Sequence, residues 1–280
     1  MIWKIRGREY DLSQRGWIMG VLNVTPDSFS DGGRFFSPEA AISQGLQMAT
    51  DGATILDIGG ESTRPGAHPV SADEELARVL PVIQGLRAAG LDCLISIDTS
   101  KADVAAAALD AGADIVNDVT GLNGDGRMAG VVADFRAGVV LMHMQGTPRT
   151  MQAAPDYRDV VSEVGDFFRQ SLRQAVGSGI DPMSIAIDPG IGFGKTAEHN
   201  RLLLRSLAAF QSFARPLLIG VSRKSFLGWI AGSQRVEDRF WPGVALTCYC
   251  RESGARIFRV HDVKPHREAL RTIEAIIEDA

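Results

Sequence analysis

The chain has 280 residues, 45% of them apolar, and 29 Lys plus Arg against 34 Asp plus Glu give a net charge of −5. That is enough apolar content for a large core in one or two domains, and it leaves no basic footprint for general nucleic-acid binding. Three cysteines (Cys93, Cys248 and Cys250) are too few for a disulfide framework and suit a reducing cytoplasm, and no apolar run is long enough to predict a membrane span.

The first six residues lack the apolar run of a secretory leader, so the expectation is a cytoplasmic chain. Residues 2–12, turning at Arg6-Gly7-Arg8, predict a short hairpin whose place is under the bottom of the following fold. Eight short apolar runs then recur at 17–22, 54–58, 93–97, 114–117, 139–143, 184–187, 217–221 and 256–260. Most are continuous rather than alternating, as strands buried on both faces are. Between them, residues 38–51, 73–89, 101–111, 126–137, 157–177, 197–210 and 266–278 have helical spacing. Ser37-Pro38 and Asp156 read as helix starts, and Gly52, Gly90, Gly112 and Gly138 as helix ends. Strands alternating with helices imply a parallel sheet with right-handed crossovers, and eight such units match a (β/α)8 TIM barrel over residues 1–280 as one domain. A doubly wound open sheet is the alternative. Neither Gly20-Val21-Leu22 nor the glycines of 190–194 have the dinucleotide-binding order.

Polar residues collect where the apolar runs end. The eight ends carry Asn23, Asp57, Asp98, Asn117-Asp118, His143, Asp188, Ser222-Arg223-Lys224, and Arg259 with His261. One aspartate in such a place is ordinarily a helix cap. Carboxylates, amides and cations at all eight ends point instead to a shared site, because a barrel brings these ends to one face. Asp98, Asn117 and Asp188 suit a planar heterocycle with adjacent N–H donors, and Lys224 its carbonyl or ring nitrogen. Arg64, Arg259 and His261 suit a phosphate or diphosphate. The loops after the first two strands, with Gly32, Gly33, Gly60 and Gly66 and stiff points at Pro26 and Pro65, read as surface loops or as lids that exclude water.

These residues resemble one known family, dihydropteroate synthase. GVLNVTPDSFSDGG at 20–33 is similar to its first signature and LDIGGESTRPG at 56–66 to its second. IDT at 97–99, ND at 117–118, MHM at 142–144, DPGIGFGK at 188–195, GVSRKS at 220–225 and RVHDV at 259–263 follow in the family's order. The resemblance implies a barrel enzyme that joins 6-hydroxymethyl-7,8-dihydropterin diphosphate to 4-aminobenzoate, releasing diphosphate and 7,8-dihydropteroate. It implies that Asp98, Asn117, Asp188 and Lys224 hold the pterin, with Met142 packed on the ring. Asn23 would ligate Mg²⁺ on the diphosphate, and Arg64, Arg259 and His261 would bind its oxygens. Thr63, Pro65, Gly192, Phe193 and Ser222 would line the aminobenzoate pocket, where sulfonamides bind in the family. Asp98, Lys224 and Arg259 would be the catalytic residues, and the assembly a homodimer.

Residues 241–250 depart from the family pattern, being bulkier than its small-residue helix, which bears on the packing before the last strand and on the dimer contact. Cys248 and Cys250 diverge on a helix, so both are expected as core thiols. His143 is either a core histidine or a ligand. Lys224 is also placed as a Schiff-base lysine is, which borohydride trapping would reveal. Five scattered histidines do not suit a metallohydrolase. A methyltetrahydrofolate-binding methyltransferase would have no use for the residues at 63–65 and 222–224, and a turnover assay would separate an inactive pterin-binding paralogue.

Overall fold

The computed structural model describes residues 1–25, 37–62, 66–233 and 235–277. Two antiparallel strands, β1 (Ile2–Ile5) and β2 (Arg8–Asp11), form the expected hairpin. Its two turn residues have positive φ, 51° at Arg6 and 75° at Gly7, the backbone that matches a tight hairpin to the twist of its strands.

Eight further strands make one sheet: β3 (Trp17–Asn23), β4 (Ile55–Gly59), β5 (Leu94–Asp98), β6 (Ile115–Asp118), β7 (Gly138–Met142), β8 (Ile185–Asp188), β9 (Leu218–Ile219) and β10 (Ile257–Val260). All pair in parallel, β3 lies between β10 and β4, and a bridge from Ile187 to Leu217 joins β8 to β9. The sheet is therefore a nearly closed barrel. The helices are α1 (Pro38–Thr50), α2 (Ala72–Ala88), α3 (Ala102–Asp110), α4 (Met128–Asp134), α5 (Val160–Gly177), α6 (Ala197–Arg205), α7 (Leu207–Phe210), α8 (Ser225–Ala231), α9 (Phe240–Glu252) and α10 (Val263–Ile277). No described helix is long and apolar enough to cross a membrane.

Strand parity positions everything else. Met19, Ile55, Ile115, Val140, Ala186, Leu218 and Ile257 form a buried layer at the lower end of the barrel with Trp3, Ile5 and Leu12 of the hairpin. The hairpin thus closes the bottom, and the Trp3 indole N–H donates to the Ser184 carbonyl at 2.9 Å. Side chains alternate along a strand, so the residues two places on from this layer share its inward face. Among those residues are Asp57, Asn117, Met142, Asp188 and Arg259. The intervening residues, among them Ile18, Leu56, Ile58, Ile97, Val116, Leu141 and Ile187, pack outward against the helices.

Some boundaries differ from the sequence reading. Ser37 does cap α1, accepting from the Ala40 amide, but α5 is capped by Asp159 rather than Asp156. Asp156 is held instead by Gln145 through its backbone. Gly52, Gly90 and Gly112 follow helices with positive φ, whereas Gly138 opens β7 and the left-handed residue before it is Arg136. The helix expected at 197–210 breaks at Ser206 into α6 and α7. Cys250 is a buried core thiol as expected, but Cys248 is only half-buried.

Candidate active site

The inward residues at the upper ends of the strands meet inside the barrel. The Arg259 guanidinium bridges two carboxylates, donating from Nε to Asp57 at 2.6 Å and from Nη2 to Asp98 at 2.7 Å. Asn117 donates from its amide to the same Asp57 oxygen at 3.1 Å. Side chains from β4, β5, β6 and β10 are thereby in one hydrogen-bonded network, though Arg259 and Asp98 are 161 residues apart. Asp57 is fully buried and its other oxygen has no partner among the described residues.

Asp188 accepts from the Gly190 amide at 2.7 Å. Burial pushes its carboxyl up to about 6, against the Gly190 hydrogen bond and the charges of Lys224, Lys195 and Arg259. Burial likewise pushes Asp98 up to about 7, opposed by Arg259 and reinforced by Asp57. Lys224 is brought down to about 8 by burial and by Arg259, with Asp188 and Asp98 acting the other way. At Arg259 burial disfavours the charge, but Asp57 and Asp98 overcome it and its pKa rises. These mutual effects put Asp98, Asp188, Lys224 and Arg259 within electrostatic reach of one another, as a single polar cluster.

The neighbouring loops complete the rim. The Lys224 ammonium lies over the Phe193 ring, 4.0 Å from its centre. A Cβ on Gly192, whose φ is +84°, would stand 3.1 Å from the Lys224 chain, so glycine there allows the lysine past. Ser222 Oγ accepts from the His261 amide at 3.2 Å and lies 3.2 Å from its Nδ1. Met142 is buried at the end of β7, in register with Asp188 on β8. Asn23, half-buried, ends β3 opposite Gly59. A cavity of about 270 Å³ opens beside this cluster, lined by Glu61, Ser62, Asp98, Thr99, Thr120 and Arg149 among others.

Arg259 and two loops stand apart from the other expected site residues. Arg259, expected on a diphosphate, sits on Asp57 and Asp98, because two buried carboxylates attract the nearest guanidinium. Thr63, Arg64 and Pro65, and the first loop from Pro26 to Gly33, lie outside the described residues.

Three participants were assigned no role from sequence. Asp57 orients both Asn117 and Arg259; its strand-end position was the available signal. Lys195 is 2% exposed and its ammonium lies 3.0 Å from His143 Nδ1. Lys101 bridges Glu61 at 2.5 Å and the fully buried Glu75 at 2.6 Å, tying the stem of the second loop to the start of α3. Nothing in the local sequence marks the partners of either lysine. Among the described residues no cluster of three or more His, Cys, Asp or Glu gathers as a metal cage.

A family model described as pterin binding enzyme matches residues 19–261. The dihydropteroate synthase of Synechocystis sp. is 47% identical over 267 residues, covering 95% of this chain and 92% of that protein. The solved structure of Xanthomonas albilineans dihydropteroate synthase with 4-aminobenzoic acid is 43% identical with a TM-score of 0.92, covering 100% of this chain and 99% of that one. The same enzyme in complex with 7,8-dihydropteroate is 40% identical with a TM-score of 0.89, covering 100% of both chains. Likeness at this level runs over nearly the whole chain, which is a transferase and belongs to the dihydropteroate synthases of the pterin-binding enzyme family.

Proposed function

We propose that this chain condenses 6-hydroxymethyl-7,8-dihydropterin diphosphate with 4-aminobenzoate, giving 7,8-dihydropteroate and diphosphate. The observation that carries the reading is the network of Asp57, Asn117, Asp98 and Arg259 beside Asp188 and Lys224 in one barrel mouth. Solved relatives with 4-aminobenzoic acid and with 7,8-dihydropteroate support the substrate classes.

Asp98, Asn117 and Asp188 are the donors and acceptors for the pterin edge, with Lys224 at its carbonyl or ring nitrogen and Met142 against its face. His261 and Arg64 take the diphosphate oxygens, joined by Arg259 when substrate competes for it. Gly192, Phe193 and Ser222, with Thr63 and Pro65, form the aminobenzoate side, the same place a sulfonamide would occupy. An aromatic amine is uncharged at neutral pH and already nucleophilic, so the demanding step is C–O cleavage at the pterin CH₂. Asp98 stabilises cationic character on the pterin as that bond breaks, which makes the displacement SN1-like.

Asn23 offers a hard amide oxygen, and a cation that takes one or two protein oxygens plus phosphate and water suits such a lone donor. Bound there, Mg²⁺ would neutralise charge on the departing diphosphate. Exposed Trp229, Ile230, Trp241 and Tyr249 on α8 and α9 support a homodimer, and three free cysteines suit a cytoplasmic enzyme.

The test is diphosphate release with both substrates, with and without Mg²⁺, and with Lys224→Ala as control. Release that requires both substrates and is lost in the variant supports the reading. No release with both substrates present, or release that yields no dihydropteroate, overturns it.

A further inference from the structure

We propose that Lys195 is a positioning residue for the aminobenzoate side of the site: its ammonium fastens the loop carrying Phe193 to the end of β7. This rests on the function proposed above and adds a determinant of aromatic-amine affinity that does not itself touch the amine.

Lys195 is a buried cation whose hydrogen bonds among the described residues go to no carboxylate. Burying an unpaired charge is costly unless its hydrogen bonds are met. Here they are met by three acceptors: the Phe193 carbonyl at 2.9 Å, the His143 carbonyl at 3.3 Å and His143 Nδ1 at 3.0 Å. An ammonium has three N–H donors, one for each. Two of these acceptors belong to the segment leaving β7 and the third to the residue whose ring carries the Lys224 ammonium. The loop also lies directly on that segment. A Cβ on Gly190 would overlap the His143 carbonyl oxygen and one on Gly194 the Gln145 carbonyl oxygen, both glycines having positive φ. Tyr157 donates to the Gly194 carbonyl at 2.8 Å and Gln152 to the Gly192 carbonyl at 2.7 Å, so Lys195 is the charged member of a larger clasp.

The charged and titratable groups around it are His143 at the end of β7, Asp188 at the end of β8 and Lys224 before α8; the Tyr157 and His199 rings stack beyond His143. Burial, then Lys195, drives His143 down to about 3, so its imidazole is neutral; facing an ammonium at 3.0 Å, Nδ1 is the accepting nitrogen. Burial brings Lys195 down to about 7, with Asp188 raising it and Lys224 lowering it. Above that pH the amine keeps two donors for three acceptors, and the clasp loosens.

The experiment is steady-state kinetics of Lys195→Met and the wild type over pH 6–9, with 4-aminobenzoate and the dihydropterin diphosphate varied in turn. We expect the variant to raise KM for 4-aminobenzoate about tenfold, with KM for the pterin substrate and kcat nearly unchanged. The wild-type KM for 4-aminobenzoate should climb from about pH 7, and the variant, in which only Lys224 still titrates beside Phe193, should climb later and less steeply. Equal rises in both KM values, no rise at all, or the same pH dependence in both proteins overturns the clasp. Should Lys195→Met not fold, ¹⁵N NMR of the wild-type His143 ring decides. A bare Nδ1 with the proton on Nε2 supports the clasp, and a protonated Nδ1 overturns it. A wild-type chain that makes no dihydropteroate overturns the functional reading instead, and the NMR result still judges the contact.

Discussion

At Asp98, burial and a guanidinium pull in opposite directions. Burial favours the neutral acid and Arg259 the carboxylate, leaving the group at about 7 and able to respond to a cation forming nearby. If its charge serves the transition state more than the ground state, Asp98→Asn will lower kcat by about 10²-fold while changing pterin affinity only a few-fold. Single-turnover rates with equilibrium binding of the pterin product measure both, and equal losses would refute the assignment.

Asp188 supports a pH prediction with a definite sign. Its folded-state value, about 6, lies above the ordinary 3.8. The folded chain therefore holds this proton when the unfolded chain has lost it. That contribution to stability is fully present below pH 3.8 and is lost as pH rises through about 6. Asp188→Asn keeps an oxygen for the Gly190 amide and has no such titration. The melting temperature of the variant minus that of the wild type, without ligands, should grow between pH 4 and pH 7 and then level off. A difference that stays constant, or shrinks, would show the carboxylate to be better compensated than its surroundings indicate.

Among elements, α2 and α3 are joined through Lys101, which precedes α3 and holds Glu75 of α2 together with Glu61 at the base of the second loop. Glu75 Oε1 has no partner among the described residues, so all compensation for this buried charge passes through its other oxygen. Lys101→Met should cost about 3–5 kcal/mol in denaturant unfolding, because it strands a charge in the interior. Adding Glu75→Gln should return a substantial part of that loss. If the double variant is no more stable than the single one, stranded charge is not the cause. Glu61 precedes residues 63–65 by two positions in the chain, so KM for the substrates is a natural second measurement.

For the whole molecule, the barrel separates stability from chemistry along its axis. The hairpin closes the lower end through Trp3, fully buried against the bottom layer, while the polar network occupies the upper end. Trp3→Ala should cost about 3–5 kcal/mol by leaving a cavity. Yet kcat and both KM values, per folded molecule, should stay within about twofold, since the chemistry of such barrels sits at the opposite face. Loss of activity per folded chain in step with stability would mean the two ends are coupled.

The repeating apolar runs determined a parallel sheet covered by helices, because a continuous buried run followed by a helical period has few other ways to satisfy its backbone and cover its faces. Closure into a barrel rather than an open sheet was decided by β3 pairing with both β10 and β4 and by the bridge from β8 to β9. The strand-end residues Asp98, Asn117, Asp188, Lys224 and Arg259 were legible for the same reason: parity and the parallel arrangement send those ends to one mouth. Helix boundaries at Asp159 and Ser206 were not, since several residues nearby cap equally well and tertiary packing selects among them. Only the tertiary structure decided who pairs with whom. Arg259 choosing Asp57 and Asp98, Lys195 choosing the end of β7, and Lys101 choosing Glu75 are settled by distances of a few ångströms between residues far apart in the chain. Electrostatic and hydrogen-bond energies depend on those distances and on burial, and neither is written in the local order of amino acids.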